Sequence, residues 1–410
     1  MQRSRRQVSI KVGARPRTDV HKVRPRLVLL GVVDYSSPWL GELLPAARVR
    51  DSRYDAHHIG VEHLRFARGV PVGVLPGLGG ASPSLLRDTA ALAMAGGSPT
   101  VDVLLARIDG GRPQDLCDPR AVELLTGALA EAQGAMVLFP DALPSPRGIT
   151  PESPVGDALV QVARTYGPTL STHFQLGLVD LPSFEEPELF RTLKGLHHHD
   201  LVAVCWTGSK REIDRHGWRS GAAWFAGQAV CRKQPMDSIA GLSAALPGGR
   251  AVPQGRARWL GAEEPARTLP EFAENAVAEL MLARGRVTIR NQPTLRAPVG
   301  LWDLPLIRTA KVLHQRIAIT ANLFVFRQAN EETAIILQTA LNLALQEFVR
   351  RDIVGGPGDS DTPQVHAIPD KNPAQPALIA TVRAFLKPWL RELRIDLAVR
   401  PGEAAIVEVI

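Results

Sequence analysis

Three short segments of the chain carry residue types that could do chemistry, and the first is a run of histidines. Histidines 197–199 are followed by Asp200, and imidazole and carboxylate groups are ligands for zinc. Adjacent residues in a loop point in different directions, and histidines 57–58 could join them only through folding. We therefore expect an exposed turn before a strand that begins at Leu201, rather than a metal site.

The other two segments are a glycine-rich loop and a set of candidate nucleophiles. Residues 76–80 (Pro-Gly-Leu-Gly-Gly) lack the Lys-Ser/Thr of a P-loop and do not complete GxGxxG, so they indicate a turn. Cys205 ends a strand-like stretch without a residue that orients a base toward it, and Ser220 lies outside any GxSxG elbow. The sequence therefore predicts no catalytic residue, no metal and no cofactor. The alternative is an α/β enzyme whose site lies at the carboxyl ends of strands, near Pro140, Pro182 and Thr207.

The bulk composition is that of a globular protein. Of 410 residues, 45% are hydrophobic and 22% are charged, and no apolar run reaches the roughly 18–20 residues that a membrane span needs. We expect neither membrane insertion nor a signal peptide, since the basic N-terminus is followed by polar, alternating sequence. Three widely spaced cysteines favour a reducing compartment, so the predicted location is the cytoplasm.

The positive charge of the protein is concentrated in an N-terminal arm, residues 1–26. The arm has nine Lys/Arg and one Asp, which leaves a net charge of about −1 on the rest of a chain whose total is +7. Within it Val8, Ile10 and Val12 alternate with polar residues, which predicts a strand. A lone strand on a tether pairs with another sheet. The arm also suits an acidic partner, but the scarcity of aromatic residues argues against nucleic acid.

The elements that follow predict an α/β fold with an open mixed sheet flanked by helices. Residues 27–33 form a continuous apolar run typical of a buried strand, and the pattern then alternates between strands and helices. The predicted domains are a first part of the α/β domain at 27–133 and its core at 134–300, with an irregular segment at 233–270. The predicted strands are 135–139, 174–181, 201–206 and 286–290, and the predicted helices are 84–95, 120–133, 155–166, 185–196, 218–230 and 268–283.

Residues 301–410 form the best-defined module of the sequence, predicted as helix–helix–strand–strand. A helix over 303–326 is followed by a second one that begins after an Asn330 N-cap, has acids in its first turn and stops at a Gly-Gly pair. A loop at 357–375 and a short helix at 376–390 lead to two alternating strands at 393–399 and 405–409. A terminal apolar strand must be held by its own domain or by a partner.

Three stretches resemble the contractile-sheath superfamily, which includes phage tail sheaths and the sheath proteins of type VI secretion and related injection systems. One is the C-terminal module, with Ile307-Arg308, the junction 326–330 and the helix end at 349–356. The second is the strand–Asp-Leu-Pro–helix–strand segment 174–206, continued by the small-residue stretch 220–227. The third is the strand arm and apolar strand at 8–35. The length favours a single-chain sheath.

The resemblance implies a structural subunit that polymerises around an inner tube and contracts to eject it. It places the subunit in the bacterial cytoplasm or in a released phage-tail-like particle. It implies intermolecular strand exchange by the two terminal arms, with Val8, Ile10, Val12, Leu393, Ile395, Leu397, Val399, Val407 and Val409. It implies that the tube contacts basic residues of the module, namely Arg308, Lys311, Arg316 and Arg327. The expected partners are other copies of the chain, the inner tube protein, and baseplate and tail-terminator proteins. The alternative within this class is a baseplate or tube-capping component.

Overall fold

The computed structural model describes two packed sheets joined by a helix. The residues that it describes are 26–34, 60–67, 89–90, 92–139, 155–181, 200–208, 221–231, 236–245, 260–261, 277–283, 286–289, 292, 294, 304–356, 362–370, 376–387, 391–400 and 406–409. The predicted N-terminal strand, the glycine-rich loop at 76–80, the histidine run and the predicted helix at 185–196 lie outside these residues.

The large sheet has ten strands. They are β1 (Leu27–Asp34), β2 (Gly60–Ala67), β3 (Thr100–Ile108), β4 (Met136–Leu138), β5 (Leu176–Leu181), β6 (Leu201–Gly208), β7 (Ser243–Ala245), β8 (Leu260–Gly261), β9 (Val277–Ala283) and β10 (Arg286–Ile289). Their order is β2-β3-β1-β4-β5-β6-β9-β10-β7, with β8 also paired to β6. The strands from β3 to β9 in this order are parallel, whereas β2, β10 and β7 pair antiparallel. The open mixed sheet predicted from the sequence is confirmed.

Two hydrophobic cores cover the two faces of this sheet, which is why β1 is apolar at nearly every position. Leu27 and Leu29 belong to one core, and Val28 and Leu30 belong to the other. Helices α1 (Pro119–Leu129) and α2 (Val155–Thr172) pack on the second face, and α3 (Gly221–Val230) packs on the first. Alternating strand and helix patterns place a layer of helices on each side of a parallel sheet, as expected for this class of fold.

Helix α3 contains several small residues, and the helical residues 92–96 cross it closely. Every residue of α3 except Gln228 is buried. A Cβ atom at Gly227 would lie 2.1 Å from the backbone oxygen of Ala93, and one at Gly96 would lie 2.6 Å from that of Trp224. Only glycine permits backbones to approach at this distance.

The C-terminal module consists of a helical hairpin on a five-stranded antiparallel sheet. The hairpin is α4 (Leu304–Asn322) and α5 (Glu331–Arg350). The sheet contains β11 (Val354–Gly355), β12 (Gln364–Asp370), β13 (Ala377–Leu386), β14 (Arg391–Val399) and β15 (Ile406–Val409). Its order is β11-β13-β14-β15, and β12 pairs with β13 on the same side as β11.

The predicted N-cap of α5 is confirmed, since the Asn330 side chain accepts a hydrogen bond from the Thr333 backbone at 2.8 Å. The three strands predicted over 135–139, 174–181 and 201–206 are also present as β4, β5 and β6. The helices predicted over 155–166 and 218–230 correspond to α2 and α3. These elements have strong local periodicity or clear end signals, which explains the agreement.

Three local predictions are wrong. The helix predicted over 268–283 is strand β9 in its described part. Because Val277 and Ala278 are buried in the cores on opposite faces of the sheet, the sequence does not show the alternation of apolar and polar residues that marks a strand. The predicted loop at 357–375 contains β12, and the predicted helix at 376–390 is β13. The module is therefore helix–helix followed by five strands. The segment 233–270, predicted irregular, contains the short strands β7 and β8.

Candidate assembly surfaces

Helix α4 connects the two halves of the molecule because it belongs to both hydrophobic cores. Leu304 and Ile307 pack into the core on the first face of the large sheet. Leu306, Leu313 and Ile317 pack into the core of the C-terminal module. The module is thereby fixed to the large sheet by one continuous helix rather than by a linker.

A second face of α4 crosses the amino-terminal ends of three parallel strands. Lys311 pairs with Asp200, which directly precedes β6, with 2.5 Å between Nζ and Oδ1. The ring of His314 meets Phe174, two residues before β5, edge-on at 4.7 Å between centroids. Gln315 lies beside Gly134, two residues before β4. The joint between the two halves is therefore polar and aromatic, between two apolar cores.

The ion pair in this joint is almost completely removed from solvent. The Lys311 and Asp200 side chains are 12% and 3% exposed. Burial lowers the pKa of Lys311 below its ordinary value, and the nearby Asp200 carboxylate opposes that shift only in part. Such a pair constrains the geometry strongly, because removing either partner leaves the other one buried and unpaired.

The four basic residues predicted to contact an inner tube lie in different environments. Arg308 is buried, at 5% exposure, and Lys311 pairs with Asp200 inside the joint. Arg316 is half-buried. Arg327, in the hairpin connection, is exposed. The tube contact stays a prediction, and in the isolated chain Arg327 is its exposed member.

The exposed apolar side chains of the described residues are concentrated in the C-terminal module. Leu323 and Phe326 at the tip of the α4–α5 hairpin are 72% and 76% exposed. The other large apolar side chains exposed in the described part of the chain are Ile319, Ile335, Ile336, Leu343, Ile368 and Ile379. Because they cluster in one module and several share the hairpin surface, they indicate an interaction surface rather than scattered surface residues.

The C-terminal residues predicted to exchange between subunits are paired within the chain in this structure. Ile395, Leu397 and Val399 of β14 are buried in the module's core. Leu393 is paired in register with Ala384, Val407 with Leu397, and Val409 with Ile395. Strand β14 therefore has neighbours on both sides, and β15 lies at an edge of the sheet. Val8, Ile10 and Val12 lie outside the described residues, and strand exchange stays a prediction.

Sequence reasoning missed several ion pairs that connect distant parts of the chain. Asp200 and Lys311 are separated by more than a hundred residues, and nothing in either local sequence indicates the other. Arg107 of β3 pairs with Glu62 of β2 at 2.8 Å, and both side chains are buried. Polar and apolar residues alternate over 63–66, a signal from which β2 could have been predicted, although it does not identify Arg107 as the partner of Glu62.

The described residues contain no group of three or more His, Cys, Asp or Glu side chains that could hold a metal ion. None of the helices described is long and apolar enough to cross a membrane. A groove between α5 and the start of β12 is lined by polar side chains such as Asn342, Gln346 and Gln364 and by the apolar Val349, Pro363 and Val365.

No family model matches the chain, and no curated protein matches it in sequence. Its fold does match solved structures. The helical sheath of the anti-feeding prophage, in its contracted state, matches with a TM-score of 0.54 at 12% identity, over 91% of this chain and 90% of that one. The chain has the contractile-sheath fold.

Two further structures support this assignment of the fold. A sheath tail protein from Desulfitobacterium hafniense matches with a TM-score of 0.54 at 8% identity, over 96% of this chain and 100% of that one. A chain of the anti-feeding prophage baseplate matches with a TM-score of 0.52 at 11% identity, over 89% of each chain. The sheath fold thus extends over both halves, including the large sheet and the C-terminal module.

Proposed function

We propose that the chain is a structural sheath subunit that polymerises into a helical contractile sheath around an inner tube and drives ejection of the tube by contraction. The observation that carries this proposal is the match to the contracted anti-feeding prophage sheath over nine tenths of both chains. A match of this extent includes the C-terminal module as well as the large sheet, so it supports more than a shared α/β sheet.

The surface of the C-terminal module supports the same role. Its exposed apolar residues, with Phe326 the most exposed, suit burial against neighbouring proteins. The exposed Arg327 beside them suits an acidic contact that forms and releases, as an inner tube requires. The partners in this proposal are further copies of the chain, an inner tube protein, and baseplate and tail-terminator proteins.

Strand exchange between subunits is the proposed means of connection. Strand addition uses backbone hydrogen bonds, and it tolerates large rigid-body movement of the domains that it links. A subunit connected in this way keeps its neighbours while it rotates during contraction. The N-terminal segment 6–14 and the C-terminal segment 392–410 are the proposed exchanging arms, acting in the bacterial cytoplasm or in a released tail-like particle.

Electron microscopy of the purified full-length protein tests this function. We expect long helical tubes or fragments of them at high protein concentration. A matched variant that lacks residues 1–15 should keep its folded domains, measured by circular dichroism, and lose the polymer. A full-length protein that stays monomeric at high concentration, with both arms intact, would contradict the proposal.

A baseplate component is the second candidate, because a baseplate chain shares the fold over 89% of this chain. The two functions predict different assemblies. A sheath subunit extends an open helix, whereas a baseplate component closes into a ring of fixed size. Closed rings that do not elongate as protein concentration rises would favour the second candidate.

A further inference from the structure

We propose that the outer face of helix α5 pairs two copies of the free chain in an antiparallel dimer with twofold symmetry. This inference goes beyond the proposed sheath function, because a twofold contact closes on itself and cannot extend an open helix. The dimer covers the outer face of α5 in subunits that have not joined a polymer.

Helix α5 has two apolar faces, and only the inner one packs within the described part of the chain. The inner face contributes Leu337, Leu341 and Phe348 to the core of the C-terminal module. On the outer face, Ile336 and Leu343 are 49% and 59% exposed. A helix that lies on a sheet usually has polar residues towards solvent, so a second apolar face indicates a contact with another protein.

The outer face of α5 forms a seam in which steps of four and three residues alternate. This is the spacing of the a and d positions of a coiled coil, which keeps one line of side chains towards a partner helix. The seam extends over most of α5, which is about 30 Å long. All of its residues are exposed, and they are Glu332, Ile336, Thr339, Leu343, Gln346 and Arg350.

The seam is complementary to a reversed copy of itself. Its steps are four, three, four, three and four residues, which is the same series in both directions. A second α5 that runs antiparallel can therefore match every seam position at once. The facing pairs, each of which occurs twice in the dimer, are Glu332 with Arg350, Ile336 with Gln346, and Thr339 with Leu343.

The charges at the ends of the seam select the antiparallel direction. Neither Glu332 nor Arg350 has an ion-pair partner among the described residues, whereas Arg351 pairs with Glu347 of the same helix at 2.9 Å. In a parallel pair, like charges would face each other at both ends of the seam. In the antiparallel pair each carboxylate meets a guanidinium, and the opposed helix dipoles attract each other as well.

The middle of the seam allows the two helices to approach closely. Thr339 is smaller than the Leu343 that faces it, so small and large side chains alternate across the twofold axis. The Thr339 hydroxyl already donates to the carbonyl oxygen of Ile335 at 2.9 Å, and covering it therefore removes no hydrogen bond. Ile335 is itself exposed beside the seam and adds apolar area to the contact.

The size of this contact predicts a dimer that dissociates readily. Stable complexes bury about 1,200–2,000 Å² in total, and one pair of helices lies at or below the lower end of that range. We therefore expect exchange between monomer and dimer, which leaves α5 available when a subunit joins a polymer.

Disulfide formation between two single-cysteine variants tests the register. Full-length Thr339→Cys and Leu343→Cys chains are mixed, any polymer is removed by ultracentrifugation, and the free chains are oxidised and resolved on a denaturing gel. The control mixture pairs Glu332→Cys with Leu343→Cys, whose positions are displaced by about 10 Å along the helices. Each variant alone and the wild-type chain, with its native cysteines, complete the controls.

We expect covalent dimers from the first mixture at several times the yield of the control mixture, because a disulfide needs Cβ atoms about 4 Å apart. Equal yields from the two mixtures would overturn the proposal. A higher yield from Thr339→Cys alone than from the first mixture would also overturn it, because this result indicates parallel helices.

Sedimentation velocity at protein concentrations below those that give polymer tests the apolar part of the contact. Leu343→Lys should raise the dissociation constant of the dimer at least tenfold. Ile368→Lys, which makes the same kind of change at an exposed residue of β12, should leave the constant within twofold of the wild type. Thermal melting verifies that both variants fold. A wild-type chain without a dimer, or equal effects of the two substitutions, would overturn the proposal.

A charge exchange between two chains tests the ends of the seam. Arg350→Glu and Glu332→Arg should each weaken the dimer severalfold when the variant is alone, since like charges then face each other. An equal mixture of the two variants should restore the wild-type affinity, because both ends regain opposite charges. A mixture as weak as its components would overturn the pairing.

The dimer and the proposed sheath function can fail separately. Polymer seen by electron microscopy without a dimer among the free chains would overturn this inference and leave the sheath function standing. A dimer with the stated register in a chain that forms no polymer would support this inference and contradict the sheath function.

Discussion

Replacing Asp200 by Asn tests whether the buried ion pair holds the two halves of the molecule together. The change keeps the shape of the side chain and leaves the Lys311 ammonium without its carboxylate, which lies 2.5 Å away in the joint. The buried lysine then has to lose its proton or stay charged and unpaired. Deprotonating a lysine with an ordinary value of 10.5 at pH 7 costs about 5 kcal/mol, at about 1.4 kcal/mol for each pH unit.

That value is an upper limit, and it agrees with the roughly 3–5 kcal/mol that breaking a buried pair usually costs. For a chain of this length that unfolds as one unit, we expect the melting temperature to fall by about 5 °C. Differential scanning calorimetry of the wild-type chain and the Asp200→Asn variant measures the difference. The variant Asp200→Asn/Lys311→Met, in which both charges are absent, should recover most of the loss.

The free energy of unfolding should depend on pH through Lys311, and the direction of that dependence follows from its shifted pKa. Burial lowers the pKa of Lys311 in the folded state, so the folded chain binds fewer protons than the unfolded chain between that lowered pKa and 10.5. Stability from this group therefore rises with pH in this window. Without Asp200 the folded pKa falls further, the window widens, and the deficit of Asp200→Asn should shrink as pH rises from 7 towards 10.

A variant as stable as the wild type would refute the reasoning, since it would mean that solvent reaches Lys311 easily. A deficit that is constant across pH would refute it as well. In that case the loss would arise from the packing or hydrogen bonding of the substituted amide side chain and not from the charge of the lysine.

Three further outcomes are expected. Gly227→Ala should destabilise the chain by about 1–3 kcal/mol, because its Cβ would lie 2.1 Å from the Ala93 oxygen. Gly127→Ala, which has open space around it in a helix, should stabilise the chain by up to about 1 kcal/mol. Thermal melting of both variants checks this contrast, and equal effects on stability would contradict it. Asn330→Ala should cost about 1 kcal/mol through loss of the α5 cap, and an unchanged urea midpoint would contradict the role of the cap. Under the proposed sheath function, Arg327→Glu should weaken co-sedimentation of the assembled protein with the proposed inner tube protein without altering the melting temperature, and undiminished binding would remove this residue from the predicted tube contact.

Local signals in the sequence were sufficient for a definite part of the fold. The apolar run of β1, the described strands and helices between residues 135 and 230, and the Asn330 cap with its following acids all specify their own conformation. Each has a period or an end signal contained within about twenty residues, so no distant contact is needed to interpret it. The resemblance to the sheath superfamily depended on these segments and on the N-terminal strand arm.

Other elements were decided by tertiary contacts alone. Strand β9 reads as a helix in sequence because both of its faces lie in hydrophobic cores, with Ala278 and Leu280 on one face and Val277 on the other. Burial on both faces removes the alternation that marks a strand. Strand β13 was also misassigned, although its buried positions alternate with exposed ones such as Ile379 and Arg383 once its face on the core is known. Local propensity is a weak guide where packing determines the outcome.

The candidate assembly surfaces divide in the same way. The sequence by itself determined that the N-terminal arm is basic, and it predicted a strand within that arm and two of the strands of the C-terminal module. Only the tertiary structure decided that Lys311 turns inward to Asp200, and that Gln338 reaches the backbone of Ala367 at one edge of the sheet. Charge and periodicity are local properties of a chain, whereas the burial of a charge and a hydrogen bond between a side chain and a distant backbone depend on partners that only folding brings together.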